Sequence, residues 1–309
     1  MRKLFLFCIA LVVIGGATFW FLSAPKPVLA ASSDALEQGG DAARGKVIFS
    51  AGGCASCHAT PEQDDRTKLG GGLELKSPFG SFFAPNISPH PTDGIGGWKV
   101  ADLVNAMQAG VSPKGEHYFP AFPYTTYAHA RVEDIRDLMV YLRSLPPVSG
   151  KANAHTVGFP FNVRRSLGMW KLLNLDHAPI VADATKPPEW NRGRYLAEAL
   201  GHCAECHSGR DFTGSIVAKY RYAGGADLEG KDWVPNITQH PDGLESWSVK
   251  DISYTLKTGD TPDGDSVGGA MNQVVKNMAE LSDEDRDAIA TYVKSLPGRE
   301  GPPKPPKKE

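Results

Sequence analysis

Apolar residues in this chain follow two patterns. One unbroken run lies near the N-terminus; beyond it, short stretches at helical spacing alternate with loops rich in Gly and Pro. The run, Leu4–Leu22, has no charged residue and follows Arg2 and Lys3. It is long enough to cross a bilayer, and Phe19, Trp20 and Phe21 at its end suit a membrane interface. Val28-Leu29-Ala30 before Ala31 also offers a small-residue cleavage site, so residues 1–30 read as a membrane anchor or a signal segment. The length and the aromatic end favour the anchor. On either reading the basic end stays in the cytoplasm and the rest is carried across. Cys8 reads as a small apolar member of the run.

Further along, the periodicity predicts a first helix at about Asp41–Ala51 and again at Arg192–Gly201. A second covers Val100–Ala109, with Leu103, Ala106 and Met107 at helical spacing, and again Val249–Lys257. A third starts on the signals Val132-Glu133-Asp134 and Ser282-Asp283-Glu284. Pro146 and Pro297 stop it.

The elements recur in order because the chain repeats itself. Arg44-Gly45-Lys46 matches Arg192-Gly193-Arg194, and Pro85-Asn86-Ile87-Ser88 matches Pro235-Asn236-Ile237-Thr238. Trp98 matches Trp247, and Tyr141-Leu142-Arg143-Ser144-Leu145-Pro146 matches Tyr292-Val293-Lys294-Ser295-Leu296-Pro297. The expected architecture is mainly α, with two tandem domains of ordinary size, 40–148 and 191–298. An interdomain linker, 149–190, joins them, and a Pro- and Lys-rich tail, 299–309, is expected to be disordered. The centre of the linker, Phe159–Leu173, is apolar and basic. It suits packing between the domains, with a docked partner or the membrane surface as alternatives.

Each repeat carries Cys-x-x-Cys-His: Cys54-Ala55-Ser56-Cys57-His58 and Cys203-Ala204-Glu205-Cys206-His207. Two thiols at this spacing each form a thioether to one porphyrin, and the adjacent His faces the iron as proximal ligand. A closed zinc site needs about four ligands, and no second pair lies near either motif. A thioredoxin-type dithiol expects a βαβ setting and needs no His. The reading is two covalently bound c-type haems, with Cys54, Cys57, Cys203 and Cys206 as attachment points and His58 and His207 on the irons. Of the five Cys only Cys8 is left, so no thiol pair remains for a structural disulfide. Gly/Pro-rich loops would wrap the flat cofactor, which supplies core that a small helical domain lacks.

These residues make each repeat resemble a class I cytochrome c domain. Phe82-Phe83-Ala84-Pro85-Asn86-Ile87-Ser88-Pro89, Gly94-Ile95-Gly96-Gly97-Trp98, Tyr118-Phe119-Pro120-Ala121-Phe122-Pro123-Tyr124 and Val234-Pro235-Asn236-Ile237-Thr238 are more specific. They resemble the cytochrome c subunits of bacterial membrane-bound alcohol, gluconate and fructose dehydrogenases, over roughly residues 40–298. Those subunits commonly carry three haem motifs and this chain has two, so it looks like their shorter dihaem relatives.

The resemblance also bears on the distal ligands. Class I cytochromes usually close the iron with a Met thioether from a late loop, which raises the potential. Met271 is the candidate in the second repeat, with Met278 as a rival. At the same distance from Trp98 the first repeat has Phe122, where related chains often have Met. A phenyl ring cannot ligate iron, so the first site needs another ligand or stays open. His117 is the expected substitute; Met107, His129 and Met139 are the alternatives. Trp98 and Trp247 are candidates for propionate bonds or for haem-edge packing. Asn86 and Asn236 read as turn-setting residues, and His90 and His240 as loop residues.

A formal net charge of −2 leaves no nucleic-acid footprint. No nucleotide-binding Gly loop or nucleophile–base pair is visible. The expected function is transfer of electrons from a periplasmic or membrane-bound dehydrogenase to a downstream acceptor in the respiratory chain. The expected place is the periplasmic side of a bacterial inner membrane, held by Leu4–Leu22. The alternative is a dihaem redox enzyme of peroxidase or thiosulfate-oxidising type, with the first haem as an open reactive site.

Overall fold

A computed structural model describes residues 1–30 and 34–304. The apolar run forms one helix, α1 (Arg2–Leu22), none of whose residues is buried. The first repeat follows as α2 (Ala42–Ala51), α3 (Cys54–His58), a hairpin of β1 (Glu74–Ser77) and β2 (Gly80–Phe83), α4 (Val100–Ala109), α5 (Tyr124–Tyr127) and α6 (Val132–Arg143). In the linker, β3 (Thr156–Val157) extends the hairpin antiparallel to β2, and α7 is Ser166–Asn174. The second repeat has α8 (Pro188–Tyr195), α9 (Cys203–Cys206), a short ladder of β4 (Gly225–Ala226) and β5 (Trp233–Val234), α10 (Val249–Thr258), α11 (Met271–Met278) and α12 (Asp283–Lys294).

The repeated Arg-Gly pair has a packing reason. In each domain the first helix crosses the last at closest approach, α2 on α6 and α8 on α12. A Cβ at Gly45 would run into the Asp137 carbonyl, and one at Gly193 into the Ala288 carbonyl. Only hydrogen fits between backbones this close. The neighbouring arginines pin the crossings: Arg44 Nε donates to Asp137 Oδ2 at 2.7 Å, and Arg192 Nε to Asp285 Oδ1 at 2.7 Å.

The first helix of the second repeat departs from expectation in two ways. It starts earlier, at Pro188, because proline suits the first turn. It also has one residue more than α2 between the paired glycine and the haem motif. That residue is absorbed in a π turn, Leu196–Leu200, where Gly201 N–H reaches back to Leu196 O at 2.6 Å.

One hydrophobic cluster runs through both domains, from Ile48 and Phe49 to Val293 and Leu296. The linker packs between the domains and is not a free tether: Trp170 Nε1 donates to Thr213 O at 3.2 Å, and its ring stands edge-on to Tyr124 at 6.4 Å. Lys171 Nζ donates to Ala109 O and Gly110 O at 2.7 and 2.6 Å, satisfying carbonyls at the end of α4. The start of the tail is tied to the second domain. Arg299 O accepts from Asn236 Nδ2 at 2.8 Å, and Arg299 NH1 donates to Ala218 O at 2.8 Å. The segment 305–309 lies outside the described residues.

Candidate haem sites and their interface

Each haem motif begins with a sharp turn out of the preceding helix. Gly53 before α3 and His202 before α9 both adopt the left-handed conformation, φ 64° and 39°. Glycine does this freely; histidine does not. Ala55 and Ala204 face the core, and the Cys and His side chains are left around them.

The two motif histidines are held alike. His58 Nδ1 is 2.8 Å from Pro85 O, and His207 Nδ1 is 2.8 Å from Pro235 O. The bond makes Nδ1 the protonated nitrogen and leaves Nε2, which has no hydrogen-bond partner among the described residues, to face a metal. Burial pushes both imidazoles below their ordinary pKa, against the pull of these carbonyls, so both rings are neutral. Asn86 and Asn236 brace the carbonyl loops. Asn86 accepts from Ser88 N at 2.9 Å and donates to Val148 O at 2.7 Å; Asn236 accepts from Thr238 N at 2.8 Å. The repeated Pro-Asn-Ile string is therefore the support of the motif histidine, a role the sequence reading did not assign.

The thiols fit thioether formation better than zinc or a disulfide. All five cysteines are free. Among the described residues no group of three His, Cys, Asp or Glu converges as a metal cluster. Burial, then the adjacent Cys57, pushes the Cys54 thiol up to about 12. Burial, then Cys206 of the other motif, pushes Cys57 up to about 11. Thiols that are half-buried, or exposed in the case of Cys206, beside an imidazole with a free Nε2 suit a covalently attached porphyrin.

The effect of Cys206 on Cys57 reflects how the domains dock. The third residue of each motif reaches the helix that follows the distal loop of the other domain. Ser56 Oγ accepts from Asn277 Nδ2 of α11 at 2.6 Å. Glu205 Oε1 accepts from Thr125 and Thr126 of α5 at 2.8 and 3.1 Å, and Oε2 accepts from Arg210 at 2.6 Å. Burial pushes the Glu205 carboxyl up, but the Arg210 guanidinium and the hydroxyl bonds pull it below the ordinary value. Beside this pair, Tyr127 donates to Gly52 O at 2.7 Å and its ring meets His202 edge-on at 5.9 Å. His202 lies against Gly53 as well, so the residue in the left-handed conformation at the start of α9 packs on the start of α3. Neither Glu205 nor His202 was singled out from sequence; the only signal was their place inside or beside a motif.

The distal candidates separate clearly. Met271 is the first residue of α11 and half-buried. Met278, Met107 and Met139 are buried in the hydrophobic cluster. Phe122 packs against Tyr127 at 5.6 Å, beside the first motif. His117 is not placed as a ligand. Its Nε2 donates to Ser23 O at 2.9 Å and its Nδ1 accepts from Lys171 Nζ at 3.1 Å, so both nitrogens are engaged at the root of α1. His129 bonds Ala178 O at 2.6 Å in the linker. His90 and His240 order their own loops through bonds from Asp93 N and Asp242 N. Trp98 and Trp247 pack on the hydrophobic cluster.

Two helical domains, each with a Cys-x-x-Cys-His turn and a carbonyl-held imidazole, define a tandem cytochrome c. Residues 42–146 and 191–297 each match the family described as Cytochrome c, and the chain belongs to that family. It is similar to a protein named diheme cytochrome c-type from Cereibacter sphaeroides, 47% identical over 304 residues, covering 97% of this chain and 100% of the relative. It is also similar to the fructose dehydrogenase cytochrome subunit of Gluconobacter japonicus, 36% identical over 261 residues, covering 83% of this chain and 52% of that subunit. The alcohol dehydrogenase (quinone) cytochrome c subunit of Gluconobacter oxydans is 34% identical over 291 residues, covering 90% of this chain and 60% of its own length. The chain thus spans between half and two thirds of these dehydrogenase subunits. Family and relatives bear out the tandem cytochrome c domains, the two covalently bound c-type haems and electron transfer as the function.

Proposed function

We propose that this chain passes electrons singly from a periplasmic or membrane-bound dehydrogenase to a downstream acceptor of the respiratory chain, on the periplasmic side of a bacterial inner membrane. The observation that carries the reading is the reciprocal interface, in which each haem motif packs on the distal helix of the other domain. Cys54 and Cys57 attach the first haem and Cys203 and Cys206 the second, with His58 and His207 as proximal ligands. A bound c-type haem supplies one-electron chemistry. The protein's part is to fix imidazole orientation through Pro85 and Pro235, exclude water with the shared core, and hold the two motifs together. Met271 supplies the second site with a thioether, which raises potential there, and Phe122 supplies none to the first.

The dehydrogenase is inferred from the relatives' names and the acceptor from chemistry. Segment 1–30 is inferred to be a retained anchor. Asn105 makes two 2.9 Å bonds to the backbone of Leu29, and Ser23 is fully buried, so this segment is built into the first domain. A secretory leader is cut away from its folded domain.

The test is isolation of the full-length chain from its native membranes in mild detergent. A dehydrogenase should co-purify, and its substrate should reduce both haems. Rapid peroxide turnover with no dehydrogenase attached would overturn the reading in favour of an enzyme.

A further inference from the structure

Most of the large exposed apolar side chains beyond α1 gather where α1 meets the haem domains. Phe159 is 83% exposed, Leu173 85% and Phe212 93%, with Phe161 and Leu172 half exposed. A chain of contacts joins them to the end of α1. Gly168 of α7 lies against the backbone of Ser23, and Arg165 covers the Trp20 ring at 4.1 Å and bonds Trp20 O. Further along α7, Trp170 bonds Thr213 O, next to Phe212. The ring of Phe161 meets Phe79 at 4.9 Å, and Phe79 reaches Gly214 of the same loop.

Helix geometry orients the patch. Arg165, Gly168 and Leu172 fall on one stripe, spaced by three and four residues. The first two meet the end of α1, so Leu172 is the next step along the side from which α1 leaves. Trp20 belongs to the aromatic end of the apolar run, which marks interface depth. With α1 in a bilayer, α7 is held at that depth. Monomeric soluble proteins do not gather exposed Phe and Leu this way without something to cover them.

We propose that segment Phe159–Leu173 and the Phe212 loop form a second membrane contact, a rim that dips into the lipid interface around the exit of α1. This inference rests on the retained anchor proposed above. The rim adds area to a single span and stops the haem pair from swinging about it. The His117–Ser23 and Lys171–His117 bonds give the rim and the anchor a common root.

The experiment uses the full chain in phospholipid vesicles, with Cys8→Ser so that the haem-bearing cysteines are the only others. Spin labels at Phe161→Cys, Leu172→Cys, Leu173→Cys and Phe212→Cys are compared with Tyr254→Cys, an exposed site on α10, and Val12→Cys within α1. Accessibility is read with oxygen, which concentrates in lipid, and with a water-soluble nickel complex. The oxygen-to-nickel ratio should be several-fold higher at the rim sites than at Tyr254→Cys. Rim labels as water-exposed as Tyr254→Cys, with Val12→Cys in lipid, would overturn the rim and leave the anchor standing. Rim labels that become shielded only when a dehydrogenase is added would assign the patch to a protein partner and also overturn it. Absence of residue 12 from the mature chain would instead sink the anchor and, with it, the rim as a second contact around α1.

Discussion

Replacement of Glu205 tests the interface that carries the functional reading. Its carboxylate accepts from Thr125 and Thr126 of the other domain and from Arg210 of its own, at 2.6 to 3.1 Å, and its side chain is 13% exposed. Glu205→Ala removes all three contacts. Arg210 keeps bonds to Gly214 O and to the backbone carbonyl of residue 205, so its charge stays solvated by carbonyls. Charge-assisted bonds contribute about 1.5–3 kcal/mol each, and breaking a buried pair costs about 3–5 kcal/mol. With Arg210 partly satisfied, the expected loss is about 3 kcal/mol, on the order of a hundredfold in the docking equilibrium. Glu205→Gln keeps an acceptor for the threonines and loses only the charge, with an expected cost of about 1–2 kcal/mol. Removing a negative charge beside Cys206 should also raise the second haem's potential. Guanidinium unfolding and a redox titration on the full chain read both effects. The pH dependence has a definite sign. The folded pKa of Glu205 lies below the unfolded value of about 4.3. Its stabilisation is full above that unfolded value and is lost as pH falls through the folded one, so Glu205→Gln should lose this part of the acid transition. A Glu205→Ala protein within about 0.5 kcal/mol of wild type, with both potentials unchanged, would refute the reasoning.

Gly45→Ala and Gly193→Ala should each destabilise their own domain by about 1–3 kcal/mol, because the added methyl meets backbone and outweighs the roughly 1 kcal/mol helix-propensity gain; denaturation curves no less stable than wild type would count against the close crossing. Met271→Ala should abolish a methionine-to-iron charge-transfer band and lower one potential, and an unchanged spectrum would reject Met271 as the ligand. Phe122→Met should add a second such band and raise the other potential; a wild-type protein already showing two would mean that another methionine reaches the first iron. Acid–acetone extraction should leave two haems on the polypeptide, seen as added mass.

What the sequence determined by itself is whatever depends on neighbours along the chain. Cys-x-x-Cys-His is a local pattern, and its chemistry follows from the spacing of three side chains on one turn. Helices α4, α6, α10 and α12 were likewise legible, since apolar periodicity and acidic or proline punctuation act within a few residues. Comparison of the two repeats flagged Gly45, Gly193 and the Pro-Asn-Ile strings, but not why they are there. The close crossings, and the carbonyls that hold His58 and His207, form between residues distant in sequence. His117 shows the difference most plainly. A histidine in a distal loop suggests an iron ligand, yet packing turns it toward Ser23 and Lys171, from an apolar run and a linker that periodicity treats as separate. Glu205 and His202 gain their roles only because the second motif docks on α5 and α3. Tertiary structure decided these matters, because a hydrogen bond or buried charge depends on which surfaces meet, and surfaces meet only once the whole core has formed.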